Sequence, residues 1–187
     1  ATMFSTYGAV PKQILSPEDV EHLKVGIVSL FTSMFLHGGI LHIGGNMLYL
    51  WIFGDNVEDR LGHARFFFFY IFCGLGAALT HIILIGQSTI PMVGASGAIS
   101  GVLGAYLISF PRVRLLTVIP IFIFIKLVEL PAIVVLGFWF VIQFLNGYYS
   151  LQNAGAVNTA GVAWFSHVGG FVLGVLGILI LKKRMKK

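Results

Sequence analysis

All seven acidic residues of this chain fall in three short places, residues 18–21, residues 55–59 and residue 129. The long stretches between them are apolar. Only 10% of the 187 residues are charged and 57% are hydrophobic, with a mean hydropathy of +0.92. A soluble domain carries about 25% charged residues. Too few polar side chains remain to cover a water-facing surface, so the chain reads as a polytopic membrane protein of the all-α class. Seventeen Phe and 23 Gly suit lipid-facing bulk and close helix contacts. The net charge of +5 is no nucleic-acid signal, because five of the twelve basic residues crowd the last six positions, an anchor at the membrane edge. A single cysteine, Cys73, excludes an intrachain disulfide.

Residues 1–36 are mixed and contain no run long enough to cross a bilayer. They are expected to form an interfacial loop with one or two short helices, with Ser16 capping a helix whose first residue is Pro17. Apolar spans are expected at roughly 38–54, 65–85, 95–110, 130–150 and 162–181, the third short for a full crossing. The first should end in a polar turn at 55–60. Leu115 to Ile125 is apolar but about half the spanning length, which places it in the interface or under the bundle. Residues 151–161 read as a loop. Arg60, Arg65, Arg112, Arg114 and the basic tail alternate to one side, whereas the connections at 86–93 and 151–161 are uncharged. The C-terminus is therefore expected in the cytoplasm and Ser96 toward the opposite face of a bacterial inner membrane. Five spans with that orientation leave the N-terminus outside, and the expectation is that a further span precedes residue 1.

Residues Gly94 to Tyr106 read Gly-Ala-Ser-Gly-Ala-Ile-Ser-Gly-Val-Leu-Gly-Ala-Tyr. Pro91 keeps the preceding chain extended, so Ser96 falls at a helix N-terminus, where free N–H groups favour an oxyanion. Gly-x-Ser-Gly resembles a nucleophile turn but is a weak signal by itself, and taken alone this stretch, with Gly97 and Gly101 four apart, reads more readily as a helix-packing face. Ionisable and polar groups inside spans are costly and mark candidate function. His42 and Asn46, four apart, share one helix face. His167 stands one turn before Gly170, and Gly170 with Gly174 forms a second bare face. If that face packs on Gly97 and Gly101, His167 meets Ser96 as general base to nucleophile. With no acidic residue in any span, the pair must be a Ser–His dyad. His42 and Asn46 are placed to donate to the oxyanion beside the Ser96 backbone N–H and Gly94. Asn46 also reads as interhelical glue, His81 as an interhelical bond and His37 as a loop contact. Trp139, Gln143 and Trp164 read as span and interface residues. No metal-ligand spacing is present, and no metal, nucleotide or organic cofactor is implied.

Taken together these residues resemble the rhomboid intramembrane serine proteases of the bacterial kind. The resemblance rests on Phe31-Thr32-Ser33-Met34-Phe35-Leu36-His37-Gly38-Gly39, on His42-x-x-x-Asn46, and on Gly54-Asp55-Asn56-Val57-Glu58-Asp59-Arg60-Leu61-Gly62. Gly94-Ala95-Ser96-Gly97 and His167-x-x-Gly170-x-x-x-Gly174 complete it. It implies one membrane domain over 1–187: a first loop at 1–37, a bundle at 38–181 and a basic cytoplasmic tail at 182–187. It implies five spans of a six-span family core, Ser96 as nucleophile, His167 as base, and His42 and Asn46 lining the oxyanion site. The implied partners are transmembrane protein substrates within the lipid bilayer, and neither nucleic acid nor nucleotide. Two positions depart from some members: Val28-Ser29 replaces a Trp-Arg pair, and Ser100 replaces a Tyr that stacks on the histidine. A non-catalytic relative that binds membrane clients is the alternative.

Overall fold

The computed structural model describes residues 3–121, 124–152 and 162–185. Three helices open the chain: α1 (Met3–Tyr7), α2 (Pro11–Leu15) and α3 (Val20–Thr32), the last continued by a 3₁₀ turn, Ser33–Phe35. The expected cap is displaced. Ser16 ends α2, its backbone N–H bonded to the Lys12 carbonyl, so it cannot also start the next helix. Asp19 starts it instead and accepts the His22 backbone N–H at 2.8 Å. That bond, and then the His22 ring, hold the Asp19 carboxyl below the usual carboxylate range. The cap is therefore fully formed above the ordinary carboxylate pKa and is lost as pH falls through the lowered one.

The next helix, α4 (Ile40–Tyr49), runs through a wide π turn at Leu50–Gly54 into α5 (Asp55–Leu61). The expected polar turn at 55–60 is thus helical. Val57 and Leu61, four apart, bury beside Phe53 and carry the helix on past the charges. Gly62, at φ +81°, turns the chain into α6 (His63–Ile85). After an extended segment come α7 (Ser96–Ser109), α8 (Ala132–Gln152) and α9 (Trp164–Met185). The loop expected at 151–161 begins as the end of α8, and beyond Gln152 it lies outside the described residues, as does the end of the basic tail.

Between α7 and α8 the apolar run at 115–125 forms a feature that hydropathy did not specify. It is a hairpin of β1 (Arg114–Ile121) and β2 (Phe124–Pro131), paired antiparallel from Arg114 opposite Pro131 to Ile121 opposite Phe124. Its β-branched content (Thr117, Val118, Ile119, Ile121, Ile125, Val128) favours the pleated strand. Leu115, Thr117, Val128 and Leu130 are half-buried on one face, whereas Leu116, Val118 and Leu127 are exposed on the other.

The helices α6, α8 and residues Trp164–Leu181 of α9 are long and apolar enough to cross a membrane. Val20–Phe35 with Ile40–Leu61 makes a fourth such unit, bent by 76°. At 14 residues α7 is shorter, and it forms the centre of the bundle, buried continuously from Gly97 to Tyr106. Its closest neighbour is α9. A Cβ on Gly170 would strike the Gly97 carbonyl oxygen, and one on Gly174 would strike that of Gly101. The two bare faces therefore meet as their four-residue spacing requires.

Candidate active site

Because α7 and α9 touch backbone to backbone, side chains at their adjoining ends are forced together. Ser96 is the first residue of α7 and His167 lies in the first turn of α9. Ser96 Oγ and His167 Nε2 are 2.8 Å apart. The other ring nitrogen, Nδ1, lies 2.8 Å from Gln143 Oε1 of α8. An amide oxygen only accepts, so this contact is a hydrogen bond when the neutral ring carries its proton on Nδ1, the tautomer that turns the Nε2 lone pair toward the serine. Trp139, one turn from Gln143, stacks near the same ring with centroids 6.0 Å apart, and Trp164 meets it edge-on at 6.2 Å. Neither packing partner nor Gln143 was marked by the sequence, where all three read as span or interface residues.

The segment before Ser96 is fixed by two backbone contacts. Met92 and Ala9 exchange N–H···O bonds of 2.8 and 3.0 Å, and the Gly94 N–H donates to the Ser33 carbonyl at 2.9 Å. Gly94 has φ +123°, and a Cβ there would come within 2.7 Å of His42 Nε2. Backbone conformation and space both require glycine at this position.

His42 and Asn46 lie on the α4 face toward this turn, as their spacing predicted. The Gly38 N–H donates to His42 Nδ1 at 3.2 Å, which leaves the ring proton on Nε2, facing Gly94. Asn46 is buried, and its Nδ2 has no hydrogen-bond partner among the described residues. The interhelical-glue reading therefore finds no acceptor at that atom. Instead both side chains line a cavity of about 420 Å³ together with Ser96, His167, Gly94 and Gln143. The volume suits a small-molecule or peptide-sized cleft.

The remaining polar positions make no hydrogen bond to these side chains among the described residues. Ser100 bonds back along its own helix, Oγ to the Ser96 carbonyl at 2.6 Å, and does not stack on His167. Ser29 is buried and donates to the Gly26 carbonyl at 2.7 Å, while Val28 is exposed. His81 does not make the expected interhelical bond at Nδ1, which is buried without a partner among the described residues. It lines a second cavity of about 70 Å³ that shares Met92, Val162 and Ala163 with the first. His37 Nε2 is likewise without a partner there, and its ring meets the His42 ring edge-on at 5.1 Å. Among the described residues no cluster of His, Cys, Asp and Glu is arranged to hold a metal ion.

The chain is similar in sequence to known proteins. The chain is 29% identical over 184 residues to Rhomboid protein 1, mitochondrial, of Saccharomyces cerevisiae, covering 94% of this chain and 47% of the yeast protein. It is 41% identical over 78 residues to Rhomboid protease GluP of Bacillus subtilis, covering 42% of this chain and 15% of that one. RHOMBOID-like protein 5 of Arabidopsis thaliana is 40% identical over 78 residues, covering 42% of this chain and 25% of its own length. The chain thus spans less than half the length of each of these relatives. The Rhomboid domain family model matches residues 25–184, and the chain, with its apolar helices packed around α7, belongs to the rhomboid family of integral membrane proteins.

Proposed function

We propose that this chain is an intramembrane serine endopeptidase that cleaves transmembrane or membrane-adjacent segments of other membrane proteins. The single observation that carries the reading is the 2.8 Å contact between Ser96 Oγ and a His167 Nε2 whose partner nitrogen is already bonded. In this reading His167 Nε2 takes the Ser96 proton as the oxygen attacks the scissile carbonyl. The carbonyl oxygen becomes an oxyanion and is met by the Asn46 amide, the His42 Nε2–H and the free N–H at the α7 N-terminus. His167 then returns the proton to the leaving amine. Water entering the cavity hydrolyses the acyl-enzyme, with His167 again the base. The substrate helix must unwind locally, because its own hydrogen bonds shield the carbonyl to be attacked.

The chain is taken as one membrane domain over 1–187, with a first loop at 1–37, a bundle at 38–181 and a basic tail at 182–187. Positive residues at 60, 65, 112 and 114 put that end of the bundle and the C-terminus in the cytoplasm of a bacterial plasma membrane, and open the cleft to the opposite side. No metal or organic cofactor enters the chemistry.

The test is cleavage of a model transmembrane substrate by the chain reconstituted in lipid vesicles, together with covalent capture by a fluorophosphonate. The wild-type chain cleaves and labels at Ser96, and both Ser96→Ala and His167→Ala abolish the two signals. A chain that binds the substrate but neither cuts nor labels is instead a non-catalytic client-binding relative.

A further inference from the structure

We propose that Gln143 is the positioning residue of the dyad, a neutral third member that stands where serine hydrolases elsewhere place a carboxylate; this rests on the Ser96–His167 reading above. A glutamine buried in a 21-residue apolar helix is costly unless it is partnered. Its Oε1 is 2.8 Å from His167 Nδ1. Trp139 on the same helix face packs near the same ring, so α8 fixes both the plane of the imidazole and the position of its proton. Without an acceptor at Nδ1 the two neutral tautomers compete, and the one protonated at Nε2 cannot take the serine proton. When His167 becomes an imidazolium in the transition state, the Nδ1–H bond to the amide dipole strengthens. An amide supplies that help with no net charge. A carboxylate would have to be desolvated inside the membrane, and none of the described spans α6 to α9 holds an acidic residue.

The inference is tested in the full chain on two independent readouts. Gln143→Met keeps length and bulk but removes the acceptor. It lowers kcat and the rate of fluorophosphonate capture about 10- to 100-fold and leaves KM within about twofold. The second readout needs no activity. In a Ser96→Ala chain with ¹⁵N-labelled histidine, the His167 signal is that of a ring protonated at Nδ1 and bare at Nε2, and adding Gln143→Met brings up the Nε2-protonated form. A His167 protonated at Nε2 in the Ser96→Ala chain overturns the proposal, as does a folded Gln143→Met chain with wild-type kcat. If the wild-type chain shows the expected tautomer but neither cleaves nor labels, Gln143 is placed as proposed and it is the protease reading that fails.

Discussion

Asn46 carries a buried amide nitrogen that bonds no protein group among the described residues, so truncating it removes no protein–protein hydrogen bond at that atom. Folding alone gives no reason to keep it; in the proposed reaction, the charge that develops in the cavity does. Asn46→Ala should therefore lower kcat by about 10²- to 10³-fold while the thermal midpoint holds, since no protein–protein hydrogen bond at Nδ2 is lost. A fall in stability with kcat intact would make Asn46 structural. Gly94→Ala is expected to fail on both counts. Its φ of +123° costs an L-residue about 1–3 kcal/mol, and the added Cβ presses on His42 Nε2. Thermal unfolding and substrate cleavage read the two effects separately. At this scale the sequence was legible where residues close in sequence are also close in the fold. His42 and Asn46 share a helix face, and Gly94 and Gly97 bracket Ser96. Gln143 was not legible, because its meaning lies in a contact with His167, 24 residues away on another helix. In sequence it is one more polar residue in an apolar run.

Helices here are held by shape more than by polar bonds, and the glycines divide accordingly. Gly174 sits on the Gly101 carbonyl, so Gly174→Ile must push α9 off α7 and carry His167 away from Ser96. Overpacking of this kind costs about 1–3 kcal/mol or more, and loss of activity should exceed what the lowered midpoint explains. Gly137 has nothing within 4 Å of an added Cβ. Gly137→Ala should stabilise α8 by about 0.5–1 kcal/mol in thermal unfolding with cleavage unchanged. The same division explains which elements could be read in advance. Long apolar runs and small-residue faces announce themselves, and α6 to α9 were placed within four residues at either end. Elements whose stability comes from tertiary burial did not. The charges of 55–60 hid the Val57 and Leu61 stripe that makes α5 a helix, and the apolar run of the hairpin lacked any period that separates strand from helix.

For the molecule as a whole, the short central helix sets how deep the candidate site sits. At 14 residues and about 1.5 Å per residue, α7 is about 21 Å long, against about 30 Å of hydrocarbon. If its C-terminal end, next to Arg112 and Arg114, reaches the cytoplasmic interface, Ser96 lies about 9 Å below the opposite one. At that depth a cavity of about 420 Å³ lies within reach of water from that interface. The orientation is open to a direct check, because the native Cys73 is fully buried and silent to bulky reagents. Single cysteines at the exposed positions Thr89 and Arg112 mark the two ends. In intact bacterial cells producing the chain, a membrane-impermeant maleimide should label Thr89→Cys at once and Arg112→Cys only after permeabilisation. The reverse pattern would turn the cleft toward the cytoplasm. Substrates would then have to present their scissile segments from that side, and the positive residues at 60, 65, 112 and 114 would need a role other than orientation.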